Sequence, residues 1–138
     1  MTLAPIIIYC SLALIGLTLL LAIWTTVQRV QSQTIAYNTP LEPTSGMAKA
    51  QRGHGNASEY AALLVALYLI IGFVHQDRDL GALIVWTMIA VTTGRFLVAL
   101  GFVTCKTLAR PDPLKAIGSL LTYLGASVLI GVTLMRAL

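Results

Sequence analysis

From Leu3 to Val27 the chain carries no charged side chain. A run of that length has few homes in water, whereas roughly 20 consecutive apolar residues in a helix cross the hydrocarbon core of a bilayer. Three further stretches qualify, and the pattern predicts spans at about 3–27, 45–75, 80–104 and 113–135. The second is polar in its first turns and apolar from Ala57 to Val74. Transmembrane β-strands would alternate in polarity over about ten residues. Runs such as Ile6-Ile7-Ile8 and Ala61-Ala62-Leu63-Leu64-Val65 do not alternate. The expected fold is an all-α integral membrane protein, a four-transmembrane-helix bundle forming a single domain over 1–138. The first span lacks a basic n-region and outlasts a secretion signal's apolar core of about 7–15 residues, so it is read as retained. No soluble domain is expected at either end.

Composition narrows the function. The chain is 57% hydrophobic and 10% charged, where a soluble domain has about a quarter charged residues. That excludes a soluble enzyme, a disordered tail and a nucleic-acid-binding domain. The net charge of +4 is better explained by membrane topology, because basic residues collect in cytoplasmic loops. Arg29, Lys49, Arg52, Lys106, Arg110 and Lys115 fall on one side. Arg78 and Arg136 fall on the other, where Asp77 and Asp79 accompany them. Both termini are therefore expected outside and the long first connection in the cytoplasm. Cys10 and Cys105 belong to opposite ends of their spans, roughly 20 Å or more apart in a core about 30 Å thick. No disulfide is expected, and no His/Cys cluster has metal-binding spacing.

The chemistry concentrates at the start of the second helix, which Thr44 or Ser45 can cap. Arg52, Asn56, Glu59 and Tyr60 stand at i, i+4, i+7 and i+8, with Lys49 one turn earlier; that spacing puts them on one face. An ionisable group at membrane depth costs roughly 2.5–3.5 kcal/mol or more unless paired or hydrated. Arg95, within the third span, lies at a depth comparable to that of Glu59, and an ion pair between them would satisfy both. Such a pair can be no more than a packing clamp. The clamp leaves the convergent stripe unexplained, as well as Gly53 and Gly55 beside it, which point to close approach by another backbone or a ligand. His54 falls on the opposite face and reads as interfacial. Trp24 fits an interfacial belt. Gly118, Thr122 and Gly125, and separately Ser127 and Gly131, read as helix-packing stripes. The loop segment Ile35–Pro40 can cover the site or merely connect spans.

Arg52-Gly53-His54-Gly55-Asn56-Ala57-Ser58-Glu59-Tyr60 resembles the second-helix signature of the MAPEG family, the membrane-associated proteins of eicosanoid and glutathione metabolism, in a form similar to its bacterial members. Gly94-Arg95-Phe96-Leu97 with Gly101 is similar to the family's third-helix arginine motif. The resemblance implies a homotrimer in the bacterial inner membrane that binds glutathione between subunits near the cytoplasmic side. Arg52, Asn56, Glu59, Tyr60 and Arg95 match its glutathione-binding positions. Glutathione has two carboxylates, an ammonium and a thiol. Arg52 can grip a carboxylate bidentately, Glu59 can pair with the ammonium, and Asn56 can donate or accept.

The implied activity is a glutathione-dependent transferase or peroxidase acting on lipophilic electrophiles, with glutathione as cosubstrate and no metal. Its partners would be further copies of itself in a homotrimer, the bilayer and a lipophilic small molecule, with no nucleic acid. The thiol, whose ordinary pKa is near 8.5, needs a nearby cation to become a thiolate. Arg110 is the candidate for that role, one position past the family's arginine, and Arg95 is a second catalytic candidate. Val98 and Phe102 stand where the family has polar side chains, which counts against transferase chemistry. The alternative is therefore a non-catalytic relative that binds a lipid or an anionic metabolite. A third reading is a small proton-coupled exporter using Glu59.

Overall fold

Proline, serine and aspartate set three of the four helix starts. The computed structural model describes residues 4–33, 41–76 and 79–138. It contains α1 (Pro5–Ser32), α2 (Gly46–Val74), α3 (Ala82–Thr104) and α4 (Pro113–Ala137). Pro5 and Pro113 occupy first-turn positions, where a missing N–H costs nothing. Of the two possible caps for α2, Ser45 acts: its Oγ accepts from the Ala48 N–H at 3.1 Å. Asp112 caps α4 in the same way, accepting from the Lys115 N–H at 3.1 Å. α1 continues beyond Val27 to Ser32 and stops at Gln33, whose φ of 53° is left-handed.

All four helices are long and apolar enough to cross a membrane, and no strand occurs among the described residues. The all-α membrane architecture therefore holds. The loop segment Ile35–Pro40, and Asp77 and Arg78 of the second connection, lie outside the described residues.

α3 is the hub. It packs closely along α4 and also against α2 and α1, while α1 lies mainly on α2. Between α3 and α4 the approach depends on glycine. A Cβ on Gly94 would stand 2.8 Å from the Gly118 carbonyl oxygen, and one on Gly118 would meet the Gly94 carbonyl closer still. Small residues are the usual means of close helix approach in a bilayer, where apolar burial supplies little drive. Gly118, Thr122 and Gly125 thus form the stripe facing α3, whereas a Cβ on Gly131 would meet nothing within 4 Å among the described residues beyond its own helix backbone. Tyr68 is fully buried at the centre. Its hydroxyl reaches the Met88 carbonyl oxygen (3.3 Å) and the Thr92 hydroxyl (3.1 Å), tying α2 to α3.

One end of the bundle gathers the basic residues. Thr25 of α1 donates to the Ala50 carbonyl of α2 at 3.1 Å. The Leu108 N–H, between α3 and α4, donates to the Pro43 carbonyl at 2.9 Å. These bonds bring the end of α1, the start of α2, the end of α3 and the start of α4 together. Lys49, Arg52, Lys106, Arg110 and Lys115 all belong to that end.

Candidate functional site

The α2 stripe fans out around its helix. At 3.6 residues per turn, Glu59, Arg52, Asn56 and Tyr60 spread in that angular order over about 100°. The inner edge of the fan, Asn56 and Tyr60, is half-buried against α3 and α4. The outer edge, Arg52 and Glu59, is exposed.

Arg95 lies behind the inner edge and is 3% exposed. Its Nη2 donates to the main-chain oxygen of Asn56 at 3.2 Å and to the Asn56 side-chain Oδ1. Its guanidinium carbon sits 4.4 Å from the centre of the Tyr60 ring, within cation–π range. The Tyr60 hydroxyl is 2.9 Å from the Tyr123 hydroxyl of α4, and the two rings are 6.0 Å apart. Three helices therefore meet in one polar cluster at membrane depth.

The ion pair expected between Arg95 and Glu59 is not what forms. Asn56 is the partner, because its place on the fan turns it toward α3 while Glu59 is turned away. A buried guanidinium satisfied by an amide, a carbonyl and an aromatic face avoids the cost of also desolvating a carboxylate. It also keeps its full charge.

The two glycines beside the stripe separate. A Cβ on Gly53 would stand 3.3 Å from Phe102 Cβ and 3.6 Å from Trp24, so Gly53 serves packing within the chain. A Cβ on Gly55 would meet nothing within 4 Å among the described residues beyond its own helix backbone. His54 is half-buried, and its Nε2 is 3.3 Å from the Ser58 hydroxyl, one turn away.

Arg110 is exposed in the connection between α3 and α4. No hydrogen bond or ion pair joins it to the cluster among the described residues. Arg95 alone is on the order of 14 Å from the end of its own helix along the axis. Val98 and Phe102, the two departures from the family pattern, are buried at 2% and 8% exposure. Val98 packs on Gly118 and Phe102 on Gly53, with Lys115 Nζ 5.0 Å from the Phe102 ring centre. Both positions belong to the helix contacts of this chain.

Tyr123 was missed in the sequence. It stands about 15 Å along α4 from the basic end, and Arg95 about 14 Å along α3 from the same end. Matching those depths puts it level with Arg95 but does not say which face of α4 it occupies.

Four membrane-length helices that enclose a guanidinium–amide–tyrosine cluster near their basic end define a small polytopic membrane protein with a polar site beneath one face. The MAPEG family model matches residues 7–135, nearly the whole chain, and the protein belongs to that family. A search of curated proteins finds no match.

Proposed function

We propose that this protein binds glutathione at the α2–α3–α4 cluster and uses it as cosubstrate in a transferase or peroxidase reaction on lipophilic electrophiles. The observation that carries this reading is the division of labour on α2. Asn56 and Tyr60 are held from behind by Arg95 and Tyr123, while Arg52 and Glu59 of the same face remain exposed beside them. An exposed cation and anion about 10 Å apart along the axis complement a small zwitterion with a carboxylate at each end and an ammonium. A single charged side chain at that depth would need lipid-facing compensation; the pair invites a polar ligand.

In the proposed reaction the thiolate sulfur attacks an electrophilic carbon and the leaving group departs with the bonding electrons. The protein's share is to hold the tripeptide and favour the thiolate. Within one chain the cluster offers Arg95 as the buried cation. Arg110, exposed at the basic end, would take its activating role across a boundary between copies, in a homotrimer holding glutathione between subunits. The basic end would then face the cytoplasm, with both termini outside and the assembly in a cell membrane.

The burial of Val98 and Phe102 favours a second reading, in which the same cluster binds a lipid headgroup or anionic metabolite without catalysis. Calorimetric titration of the detergent-purified protein with glutathione tests the first reading. Saturable heat at millimolar glutathione or below is expected, followed by conjugation of a chloro-dinitroaromatic acceptor. Absence of heat removes glutathione from the site. Heat without conjugation or peroxide reduction selects the non-catalytic reading.

A further inference from the structure

Asparagine at position 56 is chemically ambiguous: its side chain can donate through Nδ2 or accept through Oδ1. Arg95 removes the ambiguity. A guanidinium has donors only, so the amide atom it holds must be Oδ1. Oδ1 is the atom Arg95 reaches, and a second bond from the same Nη2 goes to the Asn56 main-chain oxygen at 3.2 Å. Asn56 Nδ2 has no hydrogen-bond partner among the described residues. It is absent from the buried unsatisfied atoms, of which Ser11 Oγ is the one found there. Asn56 is half-buried, and Arg52 and Glu59, its neighbours on the α2 fan, are exposed.

We infer that Arg95 is a positioning residue: it clamps the Asn56 amide with its NH2 group outward, so that position 56 recognises a hydrogen-bond acceptor such as a carboxylate and rejects a donor. The inference rests on the glutathione-binding reading for the ligand's identity, though the clamp itself is a property of the chain. From the basic end inward the face then reads donor (Arg52), donor (Asn56), acceptor (Glu59). Arg95, enclosed by Asn56 and the Tyr60 ring, acts through Asn56 and does not itself touch the ligand.

Two measurements on the full-length protein in detergent test this. The first is Asn56→Asp. Aspartate keeps an oxygen for Arg95, so thermal stability should hold or rise, while the outward donor is lost. Glutathione affinity is expected to fall by about tenfold or more. Part of that loss should return when the probe is glutathione with its carboxylates converted to carboxamides, which carry donors. An Asn56→Asp protein binding glutathione within about twofold of the unsubstituted protein overturns the inference. The second needs no ligand. In protein labelled with 15N-asparagine, the Asn56 NH2 signals should broaden with a water-soluble paramagnetic reagent and shift in Arg95→Lys. Signals shielded from the reagent, or unmoved by Arg95→Lys, refute the clamp. If the unsubstituted protein takes up no glutathione, the proposed function fails and the amide signals alone decide the clamp.

Discussion

Gly94→Ala isolates what holds α4, and with it Tyr123, against the rest of the site. The new Cβ would stand 2.8 Å from the Gly118 carbonyl oxygen, 3.0 Å from Leu121 Cβ and 3.2 Å from Thr122 Oγ1. The first two partners are backbone and the root of a side chain, so no rotamer change relieves them. Reaching ordinary contact near 3.4 Å requires α3 and α4 to part by about 0.6 Å, and such overpacking costs about 1–3 kcal/mol. Alanine's better helix propensity returns about 1 kcal/mol. Gly16→Ala supplies the reference, because a Cβ there would meet nothing within 4 Å among the described residues beyond its own helix backbone and only the propensity gain applies. The difference in unfolding free energy between the two variants should therefore be about 1–3 kcal/mol, with Gly94→Ala the less stable. The same movement would stretch the 2.9 Å Tyr60–Tyr123 hydroxyl bond toward about 3.5 Å, the limit of a useful hydrogen bond. Equilibrium unfolding in mixed micelles, followed by the intrinsic fluorescence of Trp24 and Trp86, measures the stability difference. Equal stability of the two variants would refute the close-approach account of the α3–α4 contact.

Tyr68→Phe removes a buried hydroxyl from Thr92 and Met88 and should cost about 0.5–1.5 kcal/mol in the same unfolding experiment. Asp112→Ala removes the α4 cap and should cost about 1 kcal/mol, with amide exchange rising first in the turn from Pro113 to Ala116. Tyr123→Phe should change stability little, since Tyr123 is 52% exposed, yet weaken glutathione binding by freeing Tyr60; binding unchanged in that variant would separate Tyr123 from the site. Arg110→Ala should leave glutathione affinity intact and raise the apparent thiol pKa of the bound tripeptide, read from thiolate absorbance near about 240 nm across a pH series. An unaltered titration clears Arg110 of thiol activation.

The fold was legible because hydrophobic length is nearly sufficient to locate a membrane helix. The start of α4 was equally readable, with Pro111, Asp112 and Pro113 together excluding helix before the cap. The site was legible in composition and misjudged in pairing. Depth put Arg95 level with Glu59, and opposite charges made the ion pair the obvious solution. Depth gives no azimuth, however, and the few tens of degrees separating Asn56 from Glu59 around α2 decided the partner. Gly53 shows the same limit. Its neighbour is Phe102 of a helix far away in sequence, and a glycine beside a polar stripe gives no sign of whether ligand or protein fills the space. Tyr123 escaped because an isolated tyrosine in an apolar helix carries no periodic signal.

The placement of charge on this face, though not its sum, follows from that pairing. Had Arg95 met Glu59, the buried cation and the carboxylate would have cancelled, leaving Arg52 and Lys49 to face any ligand. Because Asn56 and the Tyr60 ring are neutral, Arg95 retains its charge at 3% exposure, and Glu59 remains exposed to do other work. With Lys49 on the same stripe, two guanidinium groups, one ammonium and one carboxylate leave this face positive by two whichever partner Arg95 takes, and the pairing decides where that charge sits. Glutathione, with two carboxylates, one ammonium and a neutral thiol, brings one negative charge. Loss of the thiol proton makes the ligand more negative still, next to a cation that little water screens, so the same residual charge that favours binding also favours the reactive form. Binding should therefore tighten as pH rises through the thiol's titration, and weaken with added salt less than an exposed ion pair would. Affinity that falls on thiol deprotonation would mean that the charge of Arg95 is cancelled by some other group, and the electrostatic argument would fail with it.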